Sequence, residues 1–161
     1  METHSIRTSP HREVIVAVQQ AALAAVEPGA AVRRQVQRQG ERLVIAGRTY
    51  DLAPVERIWI VGGGKAAAAM VAALHRILGD RLTGGLVVTK VGHAGDRLDA
   101  GPVEIVEAGH PVPDEAGVRA TRRMADLLAG VAERDLVLAV ISGGGSALLT
   151  LPAAGLSLAD L

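Results

Sequence analysis

The chain has 161 residues, 49% of them hydrophobic, with 17 basic side chains balanced by 17 acidic ones, and it has no cysteine. A chain of this length is about one domain and buries roughly two-thirds of its unfolded surface. Zero net charge, with Trp59 and Tyr50 the only aromatics, gives nucleic acid neither a basic patch nor a stacking platform.

The absence of cysteine excludes disulfides, thiolate catalysis and Cys-based zinc sites. The N-terminal METHSIRTSPHREV lacks the apolar stretch of a signal peptide, and a cytoplasmic protein is the expectation. Ser9-Pro10 has the form of an N-cap followed by proline at the first helical position. Ile15, Val18, Ala22 and Val26 then share one helical face, and Pro28-Gly29 ends the run. Further on, ERLVIAGRTYDL, residues 41–52, reads as a hairpin turning near Gly47.

A strand over 57–61 leads through three glycines into a helix with Met70, Leu74 and Ile77 on its inner stripe and Gly79 at its end. A strand over 86–89 completes a parallel, right-handed βαβ unit. The plan then repeats, with a strand over 103–106, the loop EAGHPVPDEAG and a helix to about Gly130. Val118, Met124, Leu128 and Val131 are expected to face inward, and Arg119, Arg122 and Arg123 to face water. The 91–102 connection is Gly-rich without helical period, so the direction of this third strand against the second stays open.

DLVLAVIS, residues 135–142, is nearly all apolar, as suits a central strand covered on both faces. No residue from Leu136 to Ala159 is charged, a length that would span a bilayer. Three glycines and Pro152 interrupt any continuous helix there, and a strand, a turn and a short helix account for the same residues. The expected fold class is therefore α/β: a Rossmann-like open sheet, mostly parallel, with helices on both faces.

Two glycine turns, Gly62–Lys65 and Ser142–Ser146, follow strands and precede helices. In an open α/β sheet such turns line the carboxyl edge, where ligands bind, and amides unobstructed by Cβ atoms suit an anion. Of the 17 basic residues only Lys65 and Lys90 are lysine, and both adjoin glycine-bearing turns, where a compact ammonium differs from a guanidinium fork. The alternative is that the glycines merely permit tight strand-to-helix turns. A P-loop is excluded by spacing, because Trp59 and Ala66 stand where it needs Gly and Ser or Thr. Gly62, Gly64 and Ala67 fit a dinucleotide fingerprint, yet the next strand ends in Lys90 instead of the acidic residue that holds ribose. NAD is disfavoured; NADP, with Lys90 on its extra phosphate, stays open.

VGGGKAAAAM, GLVVTKVGHAGD, VEAGHPVPDEAGVRAT and VISGGGSALL occur in an order and spacing that resemble the class II glycerate 2-kinases. These are the MOFRL-type enzymes, often labelled hydroxypyruvate reductases, and the likeness runs from the first long helix to the last residue. The resemblance implies transfer of the γ-phosphoryl of ATP to the 2-hydroxyl of D-glycerate with Mg²⁺, giving 2-phosphoglycerate. It matches the family's catalytic lysine to Lys65, which would clamp either the transferring phosphate or the glycerate carboxylate. It places Gly62, Gly63 and Gly64 with Ser142, Gly143, Gly144, Gly145 and Ser146 in a substrate and phosphate cradle. His93 in KVGH and His110 in AGHPVPDE would line the pocket. Lys90 would contact phosphate or stand as a solvated strand end.

Members of that family are well over twice as long, with a second domain closing over the cleft. Residues 1–161 accordingly read as the N-terminal Rossmann-like domain, with 1–54 as a helix-and-hairpin extension inside it. Ser157 in GLSLADL has the form of an N-cap for a further helix. The C-terminal domain, with an arginine and other groups of the site, is expected in cis or as a split partner. The partners implied are D-glycerate and a nucleotide, with neither nucleic acid nor membrane. An NADP-dependent hydroxypyruvate reductase and a catalytically inactive fragment are the alternatives. His93, His110, Asp96 and Glu107 lack the spacing of a metal site, and no protein metal ligand is expected. Asp114 and Glu115 read as acidic residues at a helix start.

Overall fold

The computed structural model describes residues 3–95 and 99–161. It opens with two helices, α1 (His4–Arg7) and α2 (Arg12–Ala25). Ser9 does not cap α2: His11 takes that position, and the Ser9 hydroxyl accepts from the His11 amide in the preceding turn. None of the α2 residues is buried, and Val14, Val18 and Leu23 are at least 64% exposed. The expected helical face therefore forms but is not buried among the described residues.

Pro28-Gly29 ends α2 and also starts α3 (Pro28–Gln35), which the sequence reading missed. Proline suits the first helical position because no N–H is needed there. The Glu27 carboxylate accepts from the Gly29 and Ala30 amides at 2.8 and 2.5 Å, and these bonds hold its pKa below the usual carboxylate range.

Three short strands follow, β1 (Val36–Gln39), β2 (Arg42–Ile45) and β3 (Arg48–Asp51), in an antiparallel sheet of order β1-β2-β3. The expected hairpin is β2–β3, with Ala46 and Gly47 both at positive φ, as a two-residue hairpin turn requires. The added strand β1 extends it. Val32, Val36, Leu43 and Leu52 share one core cluster with Ile58 and Ile60, so the first segment from α3 onward is packed on the main sheet.

The main sheet holds β4 (Arg57–Gly63), β5 (Leu82–Lys90), β6 (Val103–Ala108) and β7 (Asp135–Ile141), all parallel, in the order β6-β5-β4-β7. The third strand is thus parallel to the second. Alternate side chains leave for opposite faces. Ile58, Ile60 and Val87 meet α4 (Ala67–Leu78) on one face, while Val61, Leu86 and Val88 meet α5 (Glu115–Ala129) on the other. Gly79 ends α4 with φ +56. In α4 the small residues Ala67, Ala68, Val71 and Ala72 are buried beside Leu74, whereas Met70 and Ile77 are partly covered. In α5 Val118 and Met124 are buried, Leu128 is exposed and Val131 lies beyond the helix.

The apolar strand β7 corrects a second expectation. It is an edge strand of the described sheet, only partly buried along most of its length. After it come α6 (Gly145–Leu148) and a loop in which Ser157 caps one 3₁₀ turn. No single helix among the described residues is long and apolar enough to cross a membrane, although α2 with α3, bent by 48°, passes on length and composition.

The amino ends of β4 and β7 are tied by Arg57 and Asp135. Arg57 Nε and a terminal nitrogen donate to the two Asp135 oxygens at 2.9 and 2.6 Å. Asp135 also accepts from the Ala132 amide, and its side chain is closed off from solvent. The Arg57 hydrogen bonds, then that amide, hold the Asp135 carboxyl below the usual carboxylate range. A depressed pKa contributes stability above the unfolded value, and that contribution is lost as pH falls through the folded value. Asp135→Asn is therefore expected to melt below the native chain at pH 7, with the gap closing below about pH 4. A gap in thermal midpoint that stays constant from pH 7 to pH 3 would contradict this role.

Candidate functional site

Strand order reverses between β4 and β7, since β5 and β6 continue on one side and β7 on the other. The crevice at the carboxyl ends beside such a reversal is where open α/β sheets bind ligands. Both glycine turns stand there, and they are bonded to each other. Ser142 N donates to Gly63 O at 3.1 Å, Lys65 N to Gly143 O at 2.9 Å, and Ala66 N to Ser142 Oγ at 3.0 Å. Ser142 thus accepts from the residue that opens α4, 76 positions away in sequence.

These bonds change the role expected of the first turn. Gly64 N donates to Val88 O and Ala67 N to Gly64 O, so the amides of residues 64–67 are all engaged inside the protein. Gly62, Gly63 and Gly64 are buried, and they face protein instead of an open cradle. A Cβ at Gly62 would overlap the Val140 carbonyl, one at Gly63 the Leu149 side chain, and one at Gly64 Ser142 Oγ. Bare of a Cβ, these three glycines let β4 and the turn after it lie against β7, Leu149 and the second turn. What the first turn exports is Lys65, which is exposed.

The second turn is more open. Gly145 N is bonded to Ser142 O, whereas the amides of Gly143 and Gly144 make no hydrogen bond among the described residues. Gly143 approaches the Lys65 side chain, whose Cε lies 3.8 Å from where a Cβ would stand. Gly144, at φ +94, meets the His110 ring, which would lie 2.8 Å from an added Cβ. Ser146 is exposed in the first turn of α6.

His93 stands on the other flank. Its Nδ1 is 3.3 Å from Lys65 O, and its amide donates to Lys90 O at 2.9 Å. Lys90 ends β5, half-buried, and by strand alternation its side chain leaves on the face that carries α6 and Leu148. Neither Lys65 nor Lys90 pairs with a carboxylate among the described residues, whereas Arg33, Arg38, Arg57, Arg81, Arg123 and Arg134 do. The structure therefore brings Lys65, His93, His110 and the Ser142–Ser146 turn together and leaves Lys90 at the margin.

Three further residues support the site, and of these only Asp114, at its helix start, had a clear local signal in the sequence. Thr89, the polar residue in the apolar run LVVT, is fully buried and donates to Gly64 O at 3.0 Å. Asp114 caps α5 by accepting from Gly117 N and also accepts from Gly109 N, at 2.9 and 2.8 Å, which steadies the loop of His110. Glu107 accepts from Gly92 N and Ala94 N at 2.8 and 3.0 Å. No group of three His, Asp or Glu that could hold a metal comes together among the described residues. Asp96 lies outside them.

A parallel sheet of order β6-β5-β4-β7, with a glycine turn and a lysine that pairs with no carboxylate among the described residues at its switch point, defines an open α/β protein of the doubly wound kind. More narrowly, the chain matches the family model described as "Domain of unknown function (DUF4147)" over residues 14–161, and it belongs to that family. It is 45% identical over 107 residues to the D-glycerate 2-kinase of Thermotoga maritima, covering 66% of this chain and 25% of that protein. A putative hydroxypyruvate reductase of Agrobacterium vitis is 48% identical over 104 residues, covering 65% of this chain and 26% of the relative. Among solved structures, the glycerate kinase from Thermotoga maritima superposes with a TM-score of 0.71 at 36% identity, covering 92% of this chain and 32% of that one. The chain thus spans about a quarter of the length of these two sequence relatives.

Proposed function

We propose that this chain supplies the Lys65 face of a site that phosphorylates D-glycerate at its 2-hydroxyl, using ATP and Mg²⁺ and giving 2-phosphoglycerate. One observation carries the reading. Among the described residues Lys65 has no carboxylate partner, and it stands on a turn held by Gly143 and His93, beside two glycine amides that make no hydrogen bond there. Phosphoryl transfer asks a protein mainly for positioning and for charge on the equatorial oxygens, and a lysine with fixed amides supplies both. The glycerate oxygen forms its bond to the γ-phosphorus as the bond to ADP breaks, and the hydroxyl proton passes to an acceptor.

In this reading Lys65 clamps the transferring phosphoryl group or the adjacent carboxylate. Gly143 and Gly144 donate to phosphate oxygens, and Ser142, Gly145, Ser146, His93 and His110 line the pocket, with Lys90 at its rim. Mg²⁺ would supply charge neutralisation on the triphosphate. The described residues offer it no carboxylate cluster. Residues 1–161 form the N-terminal unit, with 1–54 as its extension, and a segment corresponding to the relatives' remaining length completes the site in cis or as a separate chain. The reading carries a cytoplasmic location.

The hydroxypyruvate reductase reading, motivated by the Gly62, Gly64 and Ala67 fingerprint, is weaker. That fingerprint binds a pyrophosphate through free amides, and here the amides of residues 64–67 are engaged. An enolase-coupled assay with MgATP and D-glycerate, on the chain alone and on the completed assembly, separates the two. Glycerate-dependent 2-phosphoglycerate is expected from the completed assembly. No product there, or NADPH oxidation with hydroxypyruvate instead, would overturn the proposal.

A further inference from the structure

The turn after β5 has the composition of a mobile loop, with Gly92 at φ +78 and Gly95 at φ +73, yet every amide from residue 91 to 94 is satisfied. Val91 N continues the ladder to Ala108 O, and His93 N donates back to Lys90 O. The amides on either side of His93, those of Gly92 and Ala94, both donate to one oxygen, Glu107 Oε1. Glu107 is half-buried on β6, in register with Thr89. One carboxylate thus grips the turn on both flanks of the histidine. A carboxylate accepting two amides is a strong charge-assisted clamp.

The clamp has a chemical consequence for the ring. His93 Nδ1 faces Lys65 O, and a carbonyl only accepts, so Nδ1 must carry the proton. In a neutral imidazole the other nitrogen is then bare and able to accept. Among the described residues His93 Nε2 has no hydrogen-bond partner. Among the described residues the charged groups nearest the ring are Lys65, whose backbone carbonyl it faces, Glu107, which holds the turn, and Lys90 at the turn's start.

We propose that Glu107 is a positioning residue that holds His93 as the Nδ1–H tautomer against Lys65, leaving Nε2 as the proton acceptor of the site. The proposal takes its ligand, a hydroxy acid with a nucleoside triphosphate, from the phosphoryl-transfer reading. The substrate hydroxyl gives its proton to Nε2 while its oxygen bonds to the γ-phosphorus. The bond from that phosphorus to the bridging oxygen breaks, its electrons leave with the nucleoside diphosphate, and the imidazolium returns its proton to solvent.

The test is long-range proton–nitrogen correlation NMR on the ¹⁵N-labelled chain at about pH 8.5, where an ordinary imidazole is neutral. His93 is expected as Nδ1–H. Glu107→Ala should release the ring to exchange between tautomers and speed amide exchange at Gly92 and Ala94 by about tenfold or more. Glu107→Gln, which keeps a carbonyl oxygen in the same place, should restore both. An Nε2–H pattern in the native chain, or an unchanged pattern in a folded Glu107→Ala variant, overturns the proposal. Should Glu107→Ala fail to fold, the native and Glu107→Gln spectra still decide. In the completed assembly His93→Ala is expected to lower kcat by about 100-fold with KM little changed, and an unchanged kcat overturns the acceptor role. An Nε2–H pattern with product still formed refutes this proposal alone; absence of product from the native assembly refutes the phosphoryl-transfer reading instead.

Discussion

In the completed assembly of the proposed kinase, Lys65→Ala is expected to remove about two to three orders of magnitude from the rate of 2-phosphoglycerate formation while leaving the thermal midpoint of the chain where it was. The two halves of this expectation have separate causes. Lys65 contributes to the fold through its backbone, whose amide donates to Gly143 O and whose carbonyl faces the His93 ring, and alanine keeps that backbone. The exposed side chain has no carboxylate partner among the described residues, so its loss costs the fold within about 0.5 kcal/mol, as for an ordinary surface substitution. Its loss from a developing phosphoryl charge in a crevice is another matter, because little else nearby can replace an ammonium.

Lys65→Arg is not expected to restore the rate. Gly143 leaves room for a slim aliphatic stem, with Cε 3.8 Å from where a Cβ would be, and a planar fork places its charge elsewhere. The rates and melting curves of the two variants, measured together, check the argument. A Lys65→Ala variant as fast as the native protein would remove the lysine from the chemistry.

Gly64→Ala is expected to act in the opposite way, on the fold first. Gly64 has φ +132, and an added Cβ would overlap Ser142 Oγ and press on the Ser142 backbone. Strained backbone and overpacking together cost about 3 kcal/mol or more, and relief requires the two turns to part. Gly40→Ala is the control. It too has positive φ, +58, but nothing stands within 4 Å of its Cβ position, so it pays only the backbone cost of about 1–2 kcal/mol. Denaturant unfolding of both variants measures the difference. Equal losses would show that Gly64 is needed for its backbone angle and not for the contact between turns.

Much of the α/β plan was legible because it rests on local physics. Val61, Gly62 and Lys65 announce a strand running into a turn, Gly79 stops a helix, and Asp114 opens one. Each of these signals depends on neighbours a few residues away. Pro28-Gly29 misled for the same reason in reverse: a proline that stops one helix is also well suited to begin the next, and only the Glu27 carboxylate on the Gly29 and Ala30 amides shows that it does.

The site divides along the same line. Lys65 and the Ser142–Ser146 turn were found from composition and pattern, since a rare lysine beside glycines and a glycine run after an apolar strand are features of sequence. Their relation to each other was not. Strand order placed β7 beside β4, and only that adjacency turned Gly62, Gly63 and Gly64 from candidate anion donors into spacers. The supporting roles of Thr89 and Glu107 depend on partners 25 residues and 13 to 15 residues away. By itself the sequence determined which segments become strands, turns and helices and where a cation is presented, because propensity, period and glycine geometry act within a few residues. The tertiary structure alone decided which amides remain free, which strand lies at an edge and which carboxylate holds the histidine. Those outcomes depend on hydrogen bonds and steric contacts that exist only once distant segments lie side by side.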